Sequence, residues 1–148
     1  FVIMADIVSK EKRSYMMSRI HSKNTKPELI VRKYLFHRGF RYRVNVKKLP
    51  GSPDIVFEKY KTIIFINGCF WHGHSNCKIA HIPKSNTKKW IHKIQKNIDR
   101  DLSNRITLMK MGWHILTVWE CQLSPSKREK TLLSIELSLC KRIIESYK

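Results

Sequence analysis

The stretch Asn67-Gly68-Cys69-Phe70-Trp71-His72-Gly73-His74-Ser75-Asn76-Cys77 limits what this chain can fold into more than any other segment. It directly follows an apolar run, Thr62-Ile63-Ile64-Phe65-Ile66, with the length and β-branched composition of a strand. A strand ending in such a cluster offers soft metal ligands, a proton-transfer group and stacking surfaces at one place. Few structural needs demand all three at once.

The rest of the chain supplies a frame for that strand. Residues 5–24 are polar and basic, with Tyr15, Met16, Met17 and Ile20 interspersed. The apolar face is thin, so an arm, helical for a short stretch, is expected. Thr25-Lys26-Pro27-Glu28 matches a capping box with Pro in the first turn, and Gly39 is placed to end that helix. Leu29, Ile30, Leu35 and Phe36 are its expected core face. Residues 40–44 alternate apolar and basic, as a half-exposed strand does. Strands are expected over 54–58 and 62–67, joined by a tight turn. A long helix is expected over 88–111, with Ile94, Ile98, Leu102, Ile106 and Met109 at helical spacing, then a strand over 113–119. A final helix opens at Ser124-Pro125, with Leu132, Leu133, Leu137, Ile143 and Ile144 inward and Cys140 a core thiol. The order α-β-β-β-α-β-α predicts one α/β domain over 5–148, a mixed central sheet flanked by helices. Residues 1–4 read as a start-site remnant.

Two consequences follow from that order. The hairpin, centred on Tyr60 and Lys61, puts Asp54 opposite Asn67. The β-α-β crossover puts the strands at 62–67 and 113–119 parallel, so Cys69 and Cys121 leave the same carboxyl edge, where open α/β sheets hold ligands.

Charge narrows the partner. The 148 residues carry 30 Lys+Arg against 11 Asp+Glu, a formal charge of +19. Such a chain seeks a polyanion, and nucleic acid is the first candidate. No segment reaches the roughly 18 apolar residues of a membrane span. Neither is a secretory leader evident, and four cysteines then suggest a reducing compartment, the cytoplasm, where clustered thiols hold metal.

Each candidate residue has a plainer alternative. Cys69, His74, Cys77 and Cys121 have the right softness for a closed, structural zinc site; the alternative is isolated buried cysteines and exposed histidines. Asp54 could ligate Mg²⁺ or merely cap the turn after Pro53. His72 could be a general base for water, or replace His74 in the zinc shell. Asp101 shares the inward face of the long helix and either orients a histidine or pairs with Arg100 or Arg105. Phe70, Trp71 and Trp90 could stack on bases or cover the metal loop.

Taken together, Pro50-Gly51-Ser52-Pro53-Asp54, the run from Gly68 to His74, Lys93-Ile94 with Asn97 and Arg100-Asp101, Gly112-Trp113 and Val118-Trp119-Glu120-Cys121 resemble the very short patch repair DNA mismatch endonucleases. The segment 13–20 and Glu28 fit as well. The resemblance covers most of 5–140, in order. It implies a restriction-endonuclease-like fold with a zinc-stabilised loop, acting as a monomer on double-stranded DNA, with mismatch-repair accessory proteins as possible partners. The implied reaction is a strand-specific nick beside a T:G mismatch left by deamination of 5-methylcytosine. The implied sites are Asp54 and the Ile66 carbonyl for Mg²⁺, His72 supported by Asp101 for water, and Cys69, His74, Cys77 and Cys121 for zinc. Phe70, Trp71 and Trp90 would wedge from the major groove, Met17 on the arm at 5–24 from the minor groove, and Lys93 and Asn97 would face the mismatched bases. Glu28 would support the arm or the metal's waters. The chain departs at Asn67, where the best-known members carry a histidine, and by one extra residue between Cys69 and Cys77. Two rival readings remain: a non-catalytic zinc-stabilised DNA-binding protein, and a nuclease of this fold with another target.

Overall fold

The computed structural model describes residues 2–4, 9–18 and 23–148, without the side chains of 2–4, 13, 17 and 18. In chain order the elements are β1 (Val2–Met4), α1 (Lys10–Ser18), α2 (Lys26–His37), β2 (Arg43–Val44), β3 (Ile55–Phe57), β4 (Thr62–Asn67), β5 (His81–Pro83), α3 (Thr87–Lys110), β6 (His114–Trp119) and α4 (Arg128–Ser146). Two short 3-10 turns, Lys78–Ala80 and Glu120–Leu123, follow the cysteine-rich loop and β6.

The main sheet runs β2-β3-β4-β6, antiparallel except for the β4–β6 pair. Its two faces carry different helices. Ile55, Ile64, Ile66 and Val118 pack with Val31 and Leu35 of α2 and Leu132, Ile135 and Leu139 of α4. Val56, Ile63 and Trp113 pack with Leu108 of α3 on the other side. Covered on both faces, β3 is buried at all three residues, as its unbroken apolar run requires. This is the expected mixed sheet flanked by helices, in a restriction-endonuclease-like arrangement.

Local signals set the helix ends. The Thr25 side chain accepts the Glu28 N–H at 3.4 Å, half of the expected capping box. Glu28 does not complete it, because its carboxylate takes the Asn24 N–H instead, at 2.9 Å. Gly112 ends α3 at φ +91, with its N–H on Met109 and that of Trp113 on Leu108. This doubly bonded left-handed cap needs glycine at that position.

Several sequence expectations are corrected. Ile55 pairs with Ile64 and Phe57 with Thr62, so Asp54 lies level with Phe65, not Asn67. The turn takes in Glu58, whose carbonyl accepts the Lys61 N–H, and this shifts the hairpin by two residues. Of residues 40–44 only Arg43 and Val44 pair. Leu29 and Phe36 of α2 are exposed, and the Arg41 guanidinium lies 3.9 Å over the Phe36 ring. On α4 the inward stripe is Leu132, Ile135, Glu136 and Leu139, which leaves Leu133, Leu137, Cys140 and Ile144 outside. Leu102, Ile106 and Met109 of α3 are exposed too. Residues 2–4 pair parallel with His81–Pro83, two short strands that the sequence pattern did not indicate. Ile20 and Arg19 lie outside the described residues, as do the side chains of Met17 and Arg13.

Glu136 faces inward and needs a partner. Nε of Arg38 donates to both carboxylate oxygens, at 2.7 and 2.9 Å, tying α4 to α2 and holding Glu136 below the usual carboxylate range. Its contribution is therefore present above the unfolded value near 4.3 and lost as pH falls through the lower folded value. Urea unfolding between pH 6 and pH 3 should show a smaller loss of stability for Glu136→Gln than for the native chain; equal losses would remove this clamp from the acid response.

Candidate active site and metal centre

Parallel pairing sets the geometry of the loop edge. Asn67 of β4 is level with Trp119 of β6, so Cys69 and Cys121, two residues further on, leave the same edge together. The Cys121 N–H lies 3.4 Å from Cys69 Sγ, and the Glu120 carboxylate accepts the Cys69 N–H at 3.3 Å. The loop then winds back on itself, with the His72 N–H on the Gly68 carbonyl and the His74 N–H on that of Cys69. His74 and Cys77 are thereby delivered beside the two cysteines.

The ligand atoms of Cys69, His74, Cys77 and Cys121 all lie within 4.8 Å of one another. Two sulfurs bound to one tetrahedral ion would stand roughly 3.8 Å apart, given metal–sulfur bonds of about 2.3 Å. The set can therefore close on one metal ion with little movement. Burial pushes the Cys69 thiol up to about 12 and raises that of Cys121. Burial pushes Cys77 up, but the N–H groups of Ile79 and Ala80 together with hydrogen bonding to Cys69 and Cys121 bring that thiol below its usual value. Thiols this close can ionise together only around a cation. Burial lowers His74, keeping its imidazole neutral as a ligand must be. Its ring also stacks on Trp119, with centroids 4.1 Å apart. His74 and not His72 thus belongs to the cluster.

His72 points the other way. Its Nδ1 lies 2.5 Å from Oδ2 of Asp101 on α3. A carboxylate there holds the proton on Nδ1 and leaves Nε2 as a free base. Gly73, between the two histidines, makes this divergence possible. At φ +59 its Cα is so close to α3 that a Cβ would stand 2.6 Å from Ile98 Cδ1 and 2.9 Å from Ile94 Cγ2. Only glycine lets the loop come down onto α3 and set His72 against Asp101.

Asp54 faces the same open cleft, of about 1290 Å³, as Glu28, Ile66, His72 and Asp101. Its Oδ2 accepts the Ile66 N–H at 2.6 Å. Ile66, near the end of β4, lines the cleft beside that carboxylate. Burial pushes Asp54 up to about 7; the Ile66 N–H opposes this, and the Glu28 carboxyl within hydrogen-bonding reach adds to it. A carboxylate, a carbonyl and a second acid collected this way are oxygen ligands for a hard cation.

Phe70, Trp71 and Trp90 form one half-buried aromatic group at the cleft wall, with centroids 5.1, 5.3 and 5.9 Å apart. They pack on each other and do not protrude singly. Lys93 Nζ lies over Trp71 and Trp90, at 5.2 and 5.8 Å from their centroids. Asn97, expected to face bases, donates to the Trp71 carbonyl at 3.0 Å and so anchors that group.

A family model for "DNA mismatch endonuclease Vsr" matches residues 5–78. "Type II nicking enzyme V.NmeAIP" of Neisseria meningitidis is 58% identical over 120 residues, covering 81% of this chain and 85% of that protein. "DNA mismatch endonuclease Vsr" of Escherichia coli is 40% identical over 120 residues, 81% of this chain and 76% of that one. This chain belongs to the Vsr family. "Type II nicking enzyme V.HpaIIP" of Haemophilus parainfluenzae is 36% identical over 141 residues, covering 95% and 99% of the two chains. As a Vsr-family member the protein is a DNA endonuclease, and no helix among its described residues is long and apolar enough to cross a membrane.

Three residues of this Vsr-family site escaped sequence reasoning as contributors. Glu120 braces Cys69, Trp119 stacks on His74, and Gly73 admits the loop to α3. The first two carry a legible signal, since Cys121 lies beside them in sequence; the close approach at Gly73 does not.

Because Asp54 is raised in the folded state, the fold without bound cation loses stability as pH climbs from about 4 through 7. Asp54→Asn should therefore be more stable than the native chain to urea unfolding at pH 8 without added Mg²⁺, by on the order of a few kcal/mol, and not at pH 4. A native chain as stable as the variant at pH 8 would show that the site does not burden the fold.

Proposed function

We propose that this endonuclease cuts one strand of duplex DNA beside a T:G mismatch of the kind left by deaminated 5-methylcytosine, by Mg²⁺-dependent hydrolysis. The observation that carries the reading is the cleft that Asp54, the Ile66 carbonyl and the tied pair His72–Asp101 share beside the aromatic group. The E. coli relative's name supports the mismatch substrate. Bound Mg²⁺ would neutralise charge at the scissile phosphate.

This chain's own residues do the rest. Asp54 and the Ile66 carbonyl would hold the cation. Nε2 of His72 takes the proton of the attacking water, and Asp101 keeps the imidazole in the tautomer that can accept it. Phe70, Trp71 and Trp90 enter the stack from one groove, and Met17 on the arm at 5–24 enters from the other. Opening a base step costs about a few kcal/mol, and a stacked aromatic returns about 1–3 per base, so a weakly paired mismatch is where insertion becomes favourable. Lys93 beside that group takes phosphate or a base edge. Cys69, His74, Cys77 and Cys121 would hold zinc, and closing on it would fix the loop that carries both wedge and base.

On a panel of T:G and T:A duplexes with varied flanking sequence, nicking should appear with Mg²⁺, favour T:G, and fall by at least about 10²-fold in Asp54→Ala and in His72→Ala while duplex binding persists. Uniform failure of the native protein across the panel would leave a binding module. Elemental analysis should find one zinc per native chain and much less in Cys121→Ser, whose melting temperature should drop. A full zinc content in that variant would take Cys121 out of the ligand set.

A further inference from the structure

We propose that Arg32 is a positioning residue for the cation site, holding Glu28 so that one carboxylate oxygen is spent on α2 and the other is left towards Asp54. This rests on the reading of the cleft as a Mg²⁺-dependent nuclease centre.

Arg32 stands one turn after Glu28 on α2, and its side chain is 12% exposed. Its Nη2 donates to Glu28 Oε2 at 2.9 Å and its Nη1 to the Asn24 side-chain oxygen at 2.6 Å. The Asn24 N–H donates to the same Oε2, at 2.9 Å. One oxygen of Glu28 therefore receives two donors, and the carboxyl plane is set before any cation arrives. Arg32 Nε is buried without a hydrogen-bond partner among the described residues. An unpaired buried donor is costly, so the guanidinium is placed by what its other nitrogens hold. The Tyr42 hydroxyl donates to the Arg32 carbonyl at 2.7 Å and fixes the backbone beneath it. Asn24, at φ +55, completes the brace from the start of α2. A lysine could supply the charge but not two donors in a rigid fork. Groups behind a metal's ligands commonly alter its affinity in this manner.

The test compares Arg32→Met, Arg32→Lys and Asn24→Gly; the last keeps the left-handed backbone and its N–H while removing the side-chain oxygen. Two quantities are read on a T:G duplex: the Mg²⁺ concentration at half-maximal single-turnover nicking, and the gain in affinity for uncut duplex when Ca²⁺ replaces no cation. Arg32→Met should need about tenfold more Mg²⁺ and lose most of the Ca²⁺ gain, with unchanged cation-free affinity. Arg32→Lys should recover part, and Asn24→Gly should fall between lysine and native. An unaltered Mg²⁺ requirement in folded Arg32→Met overturns the assignment; if that variant does not fold, an unaltered requirement in Asn24→Gly does so. Absence of Mg²⁺-dependent nicking by the native protein would instead overturn the functional reading.

Discussion

The site depends on the parallel pairing of β4 with β6. A shift of one residue in that register would point alternate side chains to the opposite face and separate Cys69 from Cys121. The two strands are held by α3, the crossover between them, and by the Lys61 carbonyl, which accepts the His114 N–H at 2.8 Å where β6 begins. Both cysteines therefore reach one point because two backbones run level. His74 and Cys77 are added by a loop that reaches only eight residues beyond Cys69. The Cys/His group thus lies at the carboxyl edge of the sheet.

The loop serves two centres at once. Its sulfurs and His74 turn towards Trp119 and Cys121, while His72 turns to α3. Between them Gly73 lies almost on the helix, against Ile94 and Ile98. A Cβ there would meet both isoleucines, so the loop's approach to α3 at this point relies on glycine. On the opposite flank the Asp54 side chain accepts the Ile66 N–H. The cleft between these two arrangements holds acids brought by α2, β3 and α3, none of which adjoins another in sequence.

The helices explain why part of the core was misread. α3 has 24 residues and spans about 36 Å, whereas the six residues of β4 span about 20 Å. Its fully buried positions, Ile94 and Leu108, are about 21 Å apart, which matches the strand and not the helix. Leu102, Ile106 and Met109 keep helical spacing but fall on a flank that the small sheet does not cover. On α4 two apolar stripes run side by side, and Glu136 lies in the buried one because Arg38 meets it there. Periodicity alone ranks the stripe through Leu133, Leu137 and Cys140 above it.

The sequence by itself determined the order of the main-sheet strands and the helices that flank them, the parallel crossover, the four soft ligands and the aromatic and acidic residues around the cleft, because each is written locally as a spacing or a residue type. Tertiary structure decided which histidine joins the cysteines, the hairpin register that sets Asp54 against Ile66, the clustering of the three aromatics, and the brace from Arg32 through Glu28. Those outcomes depend on the approach of segments distant in the chain, where one missing Cβ changes the geometry. No local pattern encodes such an approach.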